Sequence, residues 1–87
     1  MATKARHAVM CQGLPEYLRK LREAAKLTQR GLGARMNEPQ SYIHNSETGN
    51  RRVDLAEFIA WTKACDQDPA QVFTQFLKSQ AKTPSKG

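Results

Sequence analysis

This 87-residue sequence lacks the features of membrane, secreted and metal-binding proteins. No apolar run approaches the ~20 residues that a helix needs to cross a bilayer, and the N-terminus lacks the apolar core of a signal peptide. The only cysteines, Cys11 and Cys65, lie far apart and form no metal-ligand spacing with His7 or His44. We therefore expect a cytoplasmic protein that does not contact membranes, with reduced structural thiols and no metal or cofactor.

Patterns of catalytic residues are lacking as well. Serine, histidine and cysteine are present, but no spacing pairs a nucleophile with a base, and no glycine-rich loop cradles phosphate. We therefore do not expect an enzyme. No stretch has the two-residue alternation of a strand and no segment is repeated, so the sequence predicts a single all-α domain with a modest core.

Acidic residues are scarce relative to basic ones. Eight Asp and Glu accompany fourteen Lys and Arg, which gives a formal net charge of +6 and an isoelectric point near 9.8. Such an excess favours a polyanionic partner. The alternative is a soluble basic domain with no charged partner, and composition alone does not separate the two.

Periodicity and capping signals predict five helices. The first begins near Pro15 and has an inward stripe of Leu14, Leu18, Leu21 and Ala25. Thr28 is the N-cap of the second helix, Pro39 suits the first position of a third helix over about 40–47, and Gly49 ends it. The later start signals are a capping box, Asp54 with Glu57, for the fourth helix and Asp68-Pro69 for the fifth.

The last two predicted helices are rich in apolar residues. In the fourth we expect an inward stripe of Leu55, Phe58, Ile59 and Thr62, and in the fifth a broad apolar face of Val72, Phe73, Phe76 and Leu77. Residues 14–78 therefore form the predicted domain. A flexible basic leader, 1–13, precedes it, and a flexible basic tail, 79–87, follows it.

The third predicted helix is unlike an ordinary core helix. Only Ile43 and one face of Tyr42 are suited to burial, whereas most of its other side chains are polar hydrogen-bonding groups of modest length. Packing alone gives such a helix little stability. Its composition indicates that its polar face meets another polar surface.

Residues from Leu18 to about Phe76 resemble the Cro/C1-type, or XRE-type, helix-turn-helix family of bacterial and phage regulators. The residues that carry the resemblance, in order, are Leu18-Arg19-Lys20-Leu21-Arg22, Leu27-Thr28-Gln29, Leu32, Pro39-Gln40-Ser41-Tyr42-Ile43, Glu47 with Gly49, and Arg51-Arg52-Val53-Asp54-Leu55. The resemblance implies a compact five-helix, lambda-repressor-like bundle that binds double-stranded DNA. Residues 40–47 would then be the recognition helix.

The family's base contacts fall on Gln40, Ser41 and Asn45. Gln40 is the best direct reader because its amide can both donate to and accept from adenine; a helix start that merely faces solvent is the alternative. Phosphate contacts are expected from Gln29 at the start of the second helix and from Arg51 and Arg52 in the loop after the third helix. Tyr42 and His44 on the third helix are further candidates. Tyr42 has a second interpretation, in which it only packs on the second helix.

The resemblance also implies an ion pair and a close approach of helices. Arg22 would pair with Glu47 and fix the recognition helix; two unrelated surface charges are the alternative. Gly33 lies where the helices of the motif come closest. Two residues depart from the family pattern: Glu38 places a carboxylate beside the DNA backbone unless it caps the recognition helix, and Ser46 replaces an apolar residue.

A recognition helix with two or three base-contacting residues distinguishes too few bases to specify one site in a genome. We therefore expect a homodimeric repressor that binds a palindromic operator. Its interface is predicted to include Trp61, Phe73 and Phe76, or these aromatics complete the monomer core instead. The alternative function is the DNA-binding antitoxin of a toxin–antitoxin pair. A basic N-terminal arm with Lys4 and Arg6 is a further candidate for DNA contact.

Overall fold

The computed structural model describes residues 13–82, the last two by their backbone alone. It contains five α-helices: α1 Leu14–Ala24, α2 Gln29–Met36, α3 Gln40–Thr48, α4 Leu55–Ala64 and α5 Pro69–Lys82. No strand occurs in this range, and the predicted all-α, five-helix architecture is confirmed. The predicted leader, apart from Gly13, lies outside the described residues, as do residues 83–87 of the predicted tail.

Local capping explains where α2 and α4 begin. The Thr28 hydroxyl accepts a hydrogen bond from the backbone N–H of Gly31 at 2.9 Å, as expected of an N-cap. At α4 the Asp54 carboxylate accepts from the N–H of Glu57 at 2.8 Å, and the Glu57 carboxylate accepts from the N–H of Asp54 at 2.9 Å. This reciprocal pair is the predicted capping box.

The turn between α2 and α3 is tight. Asn37 ends α2 in the left-handed region with φ of 60°, and the N–H of Glu38 donates to the Gly33 carbonyl at 2.8 Å. A Cβ on Gly33 would lie 2.6 Å from the carbonyl oxygen of Glu38, closer than non-bonded atoms tolerate. The predicted close approach at Gly33 is therefore confirmed, and this contact fixes the angle between the two helices.

Two helix boundaries differ from the prediction. Pro39 has extended backbone angles and is the N-cap of α3, not its first helical residue as predicted. The fifth helix runs to Lys82 rather than ending at residue 78. The helix continues because Gln80 and Ala81 favour helix and no breaker occurs before Pro84. At the other end of α3, Gly49 has φ of 83°, which suits a residue without a side chain.

The core lies where α1, α2 and α3 meet α4 and α5. Its buried apolar members include Leu18, Leu32, Ile43, Trp61 and Val72. Trp61 is fully buried, and its indole N–H donates to the carbonyl of Leu18 at 3.2 Å. Trp61 therefore belongs to the monomer core, which was the alternative to its predicted place in the dimer interface.

The inward stripe of α4 is rotated from the predicted one. Phe58, Trp61, Thr62 and Cys65 are buried, whereas Leu55 is 64 % exposed. The error has a clear cause: α4 is apolar almost all round, so periodicity alone does not identify its inward face. The predicted inward positions of Phe58 and Thr62 are confirmed, and that of Leu55 is wrong.

The apolar face of α5 is only partly covered. Val72 and Phe76 are buried, and the Phe76 ring lies 5.1 Å from that of Tyr17. Phe73 is 43 % exposed and Leu77 is 51 % exposed. Phe76, like Trp61, therefore serves the monomer core, whereas Phe73 has free surface for another contact. No helix in the described range is long and apolar enough to span a membrane.

Candidate nucleic-acid interface

The two sides of α3 differ in burial. Ile43, Ser46 and Glu47 are buried and face the rest of the domain. The opposite side carries the predicted DNA-contacting residues: Gln40, Ser41 and His44 are exposed and Asn45 is half-buried. Since residues three and four apart share a helix face, Ser41, His44 and Asn45 form one polar strip, and Gln40 lies at its start.

The Arg22–Glu47 ion pair predicted from the family resemblance is present. Nε and Nη2 of Arg22 donate to Oε2 and Oε1 of Glu47 at 2.6 and 3.1 Å, and Nη1 donates to the carbonyl of Leu27 at 2.8 Å. The two side chains are 12 % and 2 % exposed, so water screens the pair little. The hydrogen bond to Glu47 raises the pKa of Arg22.

Gln29 extends this pair to the start of α3. Its Nε2 donates to Glu47 Oε1 at 3.1 Å, and its Oε1 accepts from Nε2 of Gln40 at 3.2 Å. A carboxylate only accepts, so Glu47 requires the amino group of Gln29 to face it. The amide oxygen of Gln29 is then left to face Gln40. We call these four residues, Arg22, Glu47, Gln29 and Gln40, the polar relay.

The two departures from the family pattern have local explanations. Ser46 is buried, and its hydroxyl donates to the carbonyl of Tyr42 at 2.8 Å, so its polar group is satisfied within α3. Glu38 is exposed, and no side chain caps α3. The Glu38 carboxylate therefore does not have the capping role that would have kept it from the DNA backbone.

Arg51 and Tyr42 contact each other, and their predicted phosphate contacts stay predictions. The Cζ of Arg51 lies 4.2 Å from the centroid of the Tyr42 ring, and its two terminal nitrogens donate to Glu57 at 3.2 and 2.9 Å. Partial burial raises the pKa of Tyr42, and the hydrogen bond from Arg51 lowers that of Glu57. Glu57 was predicted from the sequence only as part of the capping box. The opposite charges of residues 51 and 57 were the available signal.

Arg52 has a different environment from its neighbour. It is exposed, and within residues 13–82 it makes no hydrogen bond or ion pair. The structure thus brings Gln29 and Gln40 together, leaves Arg52 available, and places Arg51 in a separate cluster with Tyr42. Among the described residues, no group of His, Cys, Asp and Glu is arranged to hold a metal ion.

Comparison with known proteins agrees with this geometry. Residues 14–73 match the family model described as a helix-turn-helix domain. A solved structure of an XRE-family like protein from Pseudomonas syringae pv. tomato str. DC3000 is 35 % identical in sequence and superposes with a TM-score of 0.79. The match covers 95 % of this chain and 98 % of that one. No curated protein matches the sequence.

Proposed function

The chain belongs to the XRE-type helix-turn-helix family of DNA-binding regulators, and we propose that it represses transcription by binding a specific double-stranded DNA site through α3. The observation that carries this proposal is the polar relay, which connects a shielded ion pair to Gln40 at the start of α3. A helix of this size fits the major groove, where each base pair presents a distinct set of donors and acceptors.

The relay orients the amide of Gln40 for base reading. One N–H of Nε2 is engaged by Gln29, which leaves the second N–H and the amide oxygen for a ligand. That donor and acceptor side by side match N7 and the N6 amino group of adenine. We therefore assign Gln40 to an A·T pair, with Ser41 and Asn45 reading neighbouring bases from the same polar strip.

Phosphate contacts position the domain without reading sequence. Gln29 occupies the first turn of α2, where unpaired backbone N–H groups and the positive end of the helix dipole favour an anion. Arg52 and His44 are exposed near the C-terminal half of α3. The net charge of +6 adds a general attraction to DNA.

The proposed operator is a palindrome bound by two copies of the chain. Among the side chains that the structure describes, three large apolar ones are exposed, Leu55, Phe73 and Leu77. Leu55 and Phe73 line a shallow apolar groove of about 300 Å³ between α4 and α5, together with Phe58, Ile59, Pro69 and Ala70. Because one reading helix distinguishes too few bases, we assign this apolar face to a second copy of the chain.

Selection of bound duplexes from a random DNA pool by the purified chain tests the proposed function. We expect an enriched motif of two inverted half-sites whose centres lie about ten base pairs apart, since a two-fold dimer presents its reading helices one turn apart. No enriched motif would reject sequence-specific binding. A single half-site would reject the dimer. A stoichiometric complex with the product of a neighbouring gene would support the antitoxin alternative.

A further inference from the structure

The Arg51 guanidinium contacts both helices that flank its loop. Nη1 and Nη2 donate to Oε1 and Oε2 of Glu57, the fork geometry in which arginine binds a carboxylate most specifically. Cζ lies 4.2 Å from the ring centroid of Tyr42, within the range of a cation–π contact. A single side chain therefore joins the third residue of α3 to the first turn of α4.

This connection matters because α3 has little apolar surface of its own. Ile43 is the only fully buried apolar residue of α3, and the helix packs mainly on α1 and α2 rather than on α4. Such a helix needs side-chain anchors to hold its orientation. Arg22 anchors the C-terminal end of α3 through Glu47, and Arg51 contacts its N-terminal half through Tyr42.

The anchor at Arg51 is itself held in place. Oε1 of Glu57 also accepts from the backbone N–H of Asp54, so the carboxylate is fixed from two sides. The backbone N–H groups of Asn50 and Arg51 donate to the carbonyl of Asn45 at 2.9 and 3.2 Å, which ties the loop to the end of α3. Both ends of the arginine, backbone and guanidinium, are thereby restrained.

We propose that Arg51 is a positioning residue that orients α3 through Tyr42, and that Arg52 is the phosphate contact of this arginine pair. Arg51 is two-thirds buried at its side chain, with 34 % exposed, and its donors are directed at Glu57. Arg52 is exposed and makes no hydrogen bond or ion pair in the described part of the chain. The inference rests on the proposed DNA-binding function.

The salt dependence of DNA binding distinguishes positioning from phosphate contact. The probe is the duplex selected by the wild-type chain, with a scrambled duplex of equal length as reference. Arg51→Ala should reduce the preference for the selected duplex about three- to thirtyfold while the dependence on salt stays that of the wild type. Arg52→Ala should instead weaken binding to both duplexes by the same factor and reduce the slope of log K against log salt by about 0.9.

A conservative substitution sharpens this test. Lysine keeps the charge that a phosphate needs but lacks the planar fork that Glu57 and Tyr42 engage. Arg51→Lys should therefore resemble Arg51→Ala. Tyr42→Phe keeps the aromatic face but loses the hydroxyl that interacts with Arg51 and Glu57, so it should lose less preference than Tyr42→Leu. Tyr42→Leu also removes that face and should resemble Arg51→Ala.

A measurement without DNA separates this inference from the proposed function. In the free protein, Arg51→Lys should speed amide hydrogen exchange of His44 to Glu47 about three- to thirtyfold and leave α1 unchanged, whether or not the chain selects a DNA motif. Unchanged exchange in α3 would overturn the inference. The inference would also be overturned if Arg51→Ala reduced the slope of log K against log salt and Arg51→Lys kept the wild-type slope.

Discussion

Arg22 on α1 and Glu47 at the end of α3 form a two-point hydrogen-bonded ion pair, with N–O distances of 2.6 and 3.1 Å and side chains only 12 % and 2 % exposed. The two residues are 25 positions apart in sequence, and their pair joins α1 to α3. Shielding from water is what allows it to fix the orientation of α3, because an exposed pair contributes only about 0–1 kcal/mol.

Removal of one partner of this pair should destabilise the domain strongly. Arg22→Met leaves the Glu47 carboxylate buried with Gln29 as its remaining side-chain donor, and we expect a loss of about 3–5 kcal/mol in unfolding free energy. Chemical denaturation of Arg22→Met, Glu47→Gln and the double variant gives the coupling energy. The Arg19–Glu23 pair on the exposed face of α1 serves as the matched control. Coupling no greater than that of the control would contradict the proposed anchoring role.

Gly33→Ala should destabilise the domain although alanine favours helix. The added methyl group would meet the Glu38 carbonyl oxygen at 2.6 Å, and only a backbone shift relieves this contact. We expect a loss of about 1–3 kcal/mol. Gly31→Ala is the control, because its methyl group would lie 3.2 Å from the Thr28 hydroxyl and the helix gains about 1 kcal/mol of propensity. Thermal unfolding measures the stability of both variants, and an equal change in stability in the two would reject this explanation.

Cys65 should be unreactive in the folded protein and should make stability depend on alkaline pH. Burial raises the pKa of its thiol from the ordinary value of 9.0 to about 11. Below pH 9 both folded and unfolded chains keep the proton. Between about pH 9 and 11 the unfolded chain loses it first, so stability falls as pH rises.

The chain with Cys11→Ser, in which Cys65 is the sole thiol, allows direct measurement. Iodoacetamide at pH 8 should modify Cys65 only after denaturant is added, and Cys65→Ala should reduce the loss of stability between pH 9 and 11. Rapid modification of the native protein would contradict the burial of this thiol.

The dimer proposed for operator binding predicts that Phe73 is an interface residue. Phe73→Ser should raise the dimer dissociation constant about tenfold or more, because exposed aromatic anchors dominate interface energies. Gln75→Ser, at an exposed polar position of the same helix, is the control. Light scattering at micromolar concentration measures both. A wild-type monomer with and without DNA, or equal dimer content in the two variants, would reject this interface.

Sequence reasoning succeeded where the signal is local. The N-cap at Thr28, the capping box at Asp54 and the left-handed Gly49 each depend on residues within one turn, and all three are present. The Arg22–Glu47 pair is distant in sequence and followed from the family resemblance rather than from periodicity.

The sequence was least informative where several arrangements satisfy the same residues. Because α4 is apolar on nearly all sides, its rotation was left undetermined. Trp61 was assigned to the dimer interface, with the core as the alternative, and Leu55 was expected in the core, where it is not. A long arginine side chain in a loop reaches many partners. Only the packed fold shows that Arg51 contacts Tyr42 and Glu57.

Base substitution in the selected duplex tests the proposed reading of an A·T pair by Gln40. Binding of wild-type and Gln40→Ala chains is measured on four duplexes that differ only at the assigned base pair, with Arg52→Ala as a phosphate control. The wild type should prefer A·T by roughly 1–3 kcal/mol, Arg52→Ala should keep that preference at lower affinity, and Gln40→Ala should lose it. An equal preference in Gln40→Ala and the wild type would contradict the assignment.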